Sequence, residues 1–185
     1  MPVNASNDNL GWLAPTFKLK DVSNDIMTLD QLKGNNGTVI AFICNHCPYV
    51  ISIAERLSFE AIELKKFSIN TIAIMSNDVT QYPQDSFENM KIFSKKYNFN
   101  FSYLYDETQK VAKSYGAVCT PDIFGFDGSL KLMYRGRIDS GVMNSNNSQI
   151  ERELYKAMLK IKNDGIGPTE QMNSFGCSIK WKKNE

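Results

Sequence analysis

The amino-acid sequence predicts an α/β fold with a mixed central sheet flanked by helices. Three observations carry this. Val39 to Ile43 and Asn70 to Met75 are apolar runs of strand length. The first is continuous rather than alternating, as in a parallel strand buried on both faces. Between them, Val50, Ile53, Ala54, Leu57, Ala61 and Leu64 recur at helical spacing. Finally, Asp127-Gly128 separates two strand-like segments, Ile123 to Phe126 and Leu130 to Arg135. That is a hairpin signal, and it supplies antiparallel edge strands.

Residues 1 to 11 read as a loose arm. Ala14 to Leu19 and Ile26 to Leu29 are short extended pieces, and Asp30 to Gly34 reads as a turn. The Val39 to Ile43 strand leads through Cys44-Asn45-His46-Cys47-Pro48 into the first long helix. Pro48 lacks an N–H and suits the first turn of a helix, so the helix is expected to begin there. After the second strand, Ser86 to Tyr97 forms a helix with Phe87, Met90 and Phe93 on one side. Ser102 to Tyr105 is a short strand, and Thr108 to Tyr115 a short helix capped by Gly116. The hairpin follows. Ser148 to Lys162 is the last helix, stopped by Gly165 to Pro168, and Asn144 to Asn147 read as loop. The order is strand, helix, strand, helix, strand, helix, hairpin, helix. One domain over residues 13–164 is expected, with an N-terminal arm (1–12) and a C-terminal tail (165–185).

Composition narrows the function. With 21 basic and 20 acidic residues the net charge is +1, so no electrostatic nucleic-acid partner is expected. No apolar run reaches the ~20 residues that span a bilayer, so no membrane partner is expected either. The N-terminus has no basic and no apolar signal region, and the expected location is the cytoplasm. In a reducing compartment, the four cysteines (Cys44, Cys47, Cys119 and Cys177) are not expected to be structural staples.

The C-x-x-C pair Cys44/Cys47 is the strongest chemical signal. It sits at the carboxyl end of a buried strand, where open α/β sheets carry their sites. Cys47 falls at the N-cap or first turn of the helix, where free N–H groups and a partial positive charge favour a thiolate. Cys47 is therefore the expected nucleophile, with Cys44 able to close a disulfide with it. A rival use is metal binding, with Cys44, Cys47, His46 and one distant cysteine as tetrahedral ligands. Cys119-Thr120-Pro121 is a second signal, an X-Pro turn before a strand that can be cis. His46, the single histidine, either tunes the thiols or is solvated. Asp78 and Asp106 read as turn and cap residues, and Arg135 and Arg137 as solvated edge-strand charges. Cys177 is either a resolving thiol or a residue of a docked tail.

These residues resemble the thioredoxin-like superfamily, in its peroxiredoxin-like branch of the alkyl hydroperoxide reductase/thiol-specific antioxidant type. The resemblance rests on Ala14-Pro15-Thr16-Phe17, Phe42 to Val50, Ile72 to Asp78, Asp106 to Gly116, Cys119 to Asp127 and Arg135 to Asp139. It implies a thioredoxin-like fold with Pro121 as a cis-proline packed against the active-site sulfurs. It also brings Cys119 near Cys47 as a third thiol. His46, Pro48, Thr120 and Pro121 would support the substrate groove. In peroxiredoxins a Thr or Ser stands three residues before the reactive cysteine, a Pro four before that, and an Arg later. This chain has Cys44 and Ile40 at the first two places and no Arg near Thr120 and Pro121. Fast peroxidase chemistry is therefore not expected.

The resulting expectation is a thiol–disulfide oxidoreductase in which Cys47 attacks a protein or small-molecule disulfide, or slowly a peroxide. Cys44, or alternatively Cys119, resolves the adduct, and a cellular thiol reductant restores the pair. No dissociable cofactor and no metal are required. The alternatives are a weak thiol peroxidase or peroxide sensor, and a non-enzymatic module that binds a metal or a protein.

Overall fold

The computed structural model describes residues 1–5, 10–141 and 150–183. The strands are β1 (Pro2–Asn4), β2 (Lys18–Asp21), β3 (Ile26–Thr28), β4 (Gly37–Phe42), β5 (Ile69–Met75), β6 (Ser102–Tyr105), β7 (Cys119–Thr120), β8 (Asp122–Phe126), β9 (Leu132–Gly136) and β10 (Phe175–Ser178). The helices are α1 (Leu29–Leu32), α2 (Pro48–Lys65), α3 (Phe87–Lys96), α4 (Lys110–Tyr115) and α5 (Glu153–Asp164). The expected alternation is present as β4-α2-β5-α3-β6-α4 followed by the β8-β9 hairpin and α5. Ser148 and Asn144 to Asn147 lie outside the described residues.

Seven strands form the central sheet in the order β3-β2-β6-β5-β4-β8-β9. β4 runs parallel to β5, with Ile40 opposite Ile72, and antiparallel to β8, with Ile40 opposite Phe124. Every residue of β4 is buried, the reason its sequence shows no alternation. The central strands pack on both faces. α2, α3 and α5 cover one through Val50, Leu57, Met90, Phe93, Leu154 and Met158. α1, α4 and the segment around Ala14 and Phe17 cover the other. Truncating a residue as buried as Leu57 to Ala would cost roughly 2–5 kcal/mol.

Three segments differ from expectation. Asp30 to Gly34 is not simply a turn, because α1 occupies its first half. Thr28 caps that helix through a capping box with Gln31. The first residues hold β1 rather than only a loose arm. The tail holds β10, which lies between β1 and β7 in a separate three-stranded sheet. These pieces have four residues or fewer, too few for a period to show. Long-range pairing makes them.

β10 is firmly seated. Cys177 pairs with Thr120 on one side and Pro2 on the other. Beyond it, Ile179 N donates to Val118 O at 3.0 Å and Asp78 N donates to Lys180 O at 2.8 Å. Lys180 N donates to Asn77 Oδ1 at 2.9 Å. Gly176 allows the close approach, since a Cβ there would lie 2.1 Å from Thr120 O.

Candidate active site

Cys44 and Cys47 lie just beyond β4, with Pro48 in the first turn of α2 and Cys47 at its N-cap. The expected start of the helix and the placement of Cys47 are both found. Thr120, from β7, faces them. Its Oγ1 is 3.3 Å from Cys44 Sγ, and its carbonyl oxygen lies 3.2 Å from Cys47 Sγ. The Thr120–Pro121 bond is cis. On the remaining side, Cys177 Sγ lies 2.9 Å from Cys47 Sγ. All four cysteines are free thiols; Cys44, Cys47 and Cys119 are buried, and Cys177 is partly exposed.

The three clustered sulfurs cannot all ionise. Hydrogen bonding from the Cys44 thiol, and then from the Cys177 thiol, brings Cys47 down from its ordinary 9.0 to about 5. The first-turn amide of Val50 adds to this, although Cys47 makes no capping hydrogen bond by geometry. Cys44 is pushed well up, first because it donates to Cys47 and then by burial. Burial pushes Cys177 up to about 11, reinforced by its bond to Cys47. The pocket therefore holds one thiolate, on Cys47, and keeps two thiols beside it as donors.

His46 is not a solvated bystander. Its Nδ1 bonds Asp85 Oδ2 at 2.7 Å, and its ring stacks on Tyr82 at 5.6 Å and 10°. Asp85 raises the His46 pKa above its usual value, chiefly through that hydrogen bond. Asp85 is fully buried. It also accepts from Asn45 N at 2.8 Å and from Asn77 Nδ2 at 2.8 Å. Its chain position, in the turn Pro83–Asp85, gives no sequence signal. Cys44, His46 and Asp85 offer ligand atoms that all lie within 4.8 Å of one another. A metal set built here would join Asp85 to Cys44 and His46, without Cys47 or the distant cysteine expected, and would compete with the His46–Asp85 bond.

Cys119 is placed differently from the other three. Its Sγ donates to Pro121 O at 3.5 Å, and burial pushes its pKa far up. Thr120, one residue on, is the part of β7 that touches the reactive sulfurs. Arg135 and Arg137 are not simply solvated. Arg135 pairs with buried Asp122 at 2.8 Å and donates to Gly116 O at 2.7 Å. Arg137 pairs with Glu153 at 2.6 Å. Asp78 and Asp106 do take turn and cap bonds. Asp78 Oδ1 accepts from Thr80 N, and Asp106 Oδ2 from Ala112 N.

A cavity of about 360 Å³ has Pro121, the residue after Thr120, in its wall. Tyr49, Ile53, Pro121, Ile123, Ile138 and Phe175 form its apolar walls. Among the described residues no helix is long and apolar enough to cross a membrane.

Comparison with known proteins agrees with this arrangement. The AhpC/TSA family pattern matches residues 10–136. Chloroplastic peroxiredoxin Q of Populus jackii is 29% identical over 119 residues, 63% of this chain and 50% of that protein. The chain thus spans about half the length of that relative. An uncharacterized conserved protein from Geobacillus kaustophilus superposes with a TM-score of 0.93 at 40% identity, over 100% of this chain and 98% of that one. The thioredoxin domain of a thiol-disulfide oxidoreductase from Bacteroides vulgatus gives 0.65 at 16% identity, over 84% and 99%, a likeness of fold. With the cis Thr120–Pro121 bond beside the two cysteines at the end of β4, the chain belongs to the AhpC/TSA family on a thioredoxin-like fold.

Proposed function

We propose that the protein is a thiol–disulfide oxidoreductase in which Cys47 is the nucleophile and Cys177 the resolving thiol. The single observation that carries this is the 2.9 Å Sγ–Sγ separation of a low-pKa cysteine and a second, partly exposed thiol. Reduced Cys47 attacks one sulfur of a substrate disulfide. A Cys47–substrate bond forms, the substrate S–S bond breaks, and the leaving thiolate takes a proton. Cys177, deprotonated, then attacks Cys47 Sγ. The Cys47–Cys177 disulfide forms as the Cys47–substrate bond breaks, and the second substrate sulfur leaves as a thiolate that takes a proton from water. A thiol reductant of the cell returns both to the reduced state. The pair suits a cytoplasmic protein, where such reductants are abundant.

Cys177 takes the resolving role expected of Cys44 or Cys119. Cys177 is partly exposed beside Cys47, whereas Cys44 is buried against Thr120 Oγ1. Cys44 instead steadies the Cys47 thiolate. Cys119 is turned to the Pro121 carbonyl. Arg135, engaged with Asp122 and Gly116, is not available to polarise a peroxide, which favours disulfide over peroxide substrates. The test is disulfide reduction by single variants. Cys47→Ser abolishes it, and Cys177→Ser accumulates a mixed disulfide on Cys47. Wild-type turnover by Cys47→Ser would sink the proposal.

A further inference from the structure

We infer that the substrate is a small, uncharged disulfide with an apolar arm that fills the cavity walled by Tyr49, Pro121 and Phe175, and that polypeptide disulfides are excluded. The inference rests on the thiol–disulfide reading above and adds the substrate class.

Exclusion of polypeptides follows from β10. An extended peptide docks on a sheet by hydrogen bonding along an open edge. Beside the reactive sulfurs, the edge of Thr120 is already taken by Cys177 of the same chain. The other edge of β10 is taken by β1, through Pro2–Cys177, Val3–Gly176 and Asn4–Phe175. An incoming strand therefore meets the outer edge of β1, with β10 interposed between it and Thr120. Gly176 fits against the Thr120 carbonyl with no space for a Cβ, and the Ile179 and Lys180 bonds hold the strand from behind. β10 is part of the fold, not a loose flap.

The cavity indicates what can enter instead. Two of its walls, Tyr49 and Phe175, each lie two residues from a reactive cysteine, Cys47 and Cys177. Their rings meet edge to face at 5.1 Å. A third wall, Pro121, follows Thr120, whose carbonyl touches Cys47 Sγ. An arm seated there lies against Pro121, one residue from the carbonyl that touches Cys47. The volume of about 360 Å³ suits a small molecule. The charged groups at the rim are already neutralised. Arg137 is bidentate with Glu153 at 2.6 and 2.7 Å, and Asp139 holds Arg56 at 2.6 and 3.3 Å. No net charge is left on the cavity walls to attract the carboxylates of a peptide-derived disulfide, and the two cations that act on Cys177, Lys180 and the N-terminal amine, are not among those walls.

The test uses the reduced full-length protein with three substrates: 2,2′-dithiodipyridine (small, aromatic, uncharged), glutathione disulfide and insulin. Each rate is divided by that of a free low-molecular-weight thiol with the same disulfide, which removes intrinsic reactivity. The expected normalised rate for the aryl disulfide exceeds that for glutathione disulfide about tenfold or more. Insulin reduction stays at the level of the free thiol. Phe175→Arg, on the half-exposed wall, and Ile138→Arg, on the buried wall, each collapse the preference while the ultraviolet absorbance of the Cys47 thiolate persists. Equal normalised rates for the three substrates would overturn the inference, as would an undiminished preference in Phe175→Arg. Thiol release that survives Cys47→Ser would instead overturn the thiol–disulfide reading itself.

Discussion

Cys47 Sγ lies 2.9 Å from Cys177 Sγ although 130 residues separate them in the chain. Strand pairing makes the contact. Cys177 stands opposite Thr120 in an antiparallel register, and Thr120 reaches both Cys44 and Cys47. The tail thus completes the redox centre rather than trailing from it.

Gly176 is the position at which this arrangement is most easily broken. In Gly176→Ala the new Cβ meets the Thr120 carbonyl at 2.1 Å, so β10 must shift. Overpacking of this kind costs about 1–3 kcal/mol. A displacement near 1 Å at a reacting atom can cost roughly 100-fold in rate. The expected outcome is a slower Cys47–Cys177 disulfide by that order, with initial attack by Cys47 retained. Stopped-flow oxidation with mass analysis of the products separates the two steps.

The thiolate has a defined pH signature. Ultraviolet absorbance of the reduced protein is expected to show one thiolate per chain titrating at about 5 and absent in Cys47→Ser. Cys44→Ser removes the largest stabilising hydrogen bond and moves that midpoint upward. The folded Cys47 binds fewer protons than an unfolded cysteine between about 5 and the ordinary 9.0. Its contribution to stability is therefore fully present above 9.0, falls as the pH drops across that window, and is lost below about 5. Raised Cys44 and Cys177 act in the opposite sense in the alkaline range, where stability is lost as pH rises.

His46 is the chain's one histidine, so its ring proton gives a single proton-NMR titration. It is expected to titrate above the usual histidine value of 6.5 because Asp85 holds its Nδ1. Asp85→Asn lowers that midpoint, while stacking on Tyr82 keeps the ring in place. An unchanged midpoint in Asp85→Asn would show that the hydrogen bond does not govern the ring.

Arg135 stabilises the fold through Asp122, which is fully buried at the start of β8. Burial raises the Asp122 pKa, and the Arg135 hydrogen bond pulls it back down. Arg135→Ala leaves a buried carboxylate unpaired, a loss of roughly 3–5 kcal/mol. Without Arg135 the Asp122 pKa rises further, so the deficit grows as pH rises and shrinks where the carboxyl protonates. Urea unfolding at acidic and neutral pH measures both the size and the slope.

Much of the fold was legible because the signals were local. The unbroken apolar run through Val39 to Ile43 marked β4, the switch to helical spacing after Pro48 marked α2, and Gly116 marked the end of α4, which it caps at φ 64°. The same locality exposed Cys47 at the N-cap, while Pro121 beside it was implied by the family resemblance alone. Other features were set by contacts far apart in sequence. Asp85 reaches His46 across 39 residues, Arg135 finds Asp122 across a hairpin, and Cys177 is seated by pairing with Pro2 and Thr120. No spacing within the chain announces such partners.

The most direct test is time-resolved peptide mass mapping of the fully reduced protein after one equivalent of oxidant. The account predicts that a Cys47–Cys177 disulfide forms first, with Cys44 and Cys119 still thiols. Four unmodified thiols, or a first disulfide that joins Cys47 to Cys44 or Cys119, would contradict it.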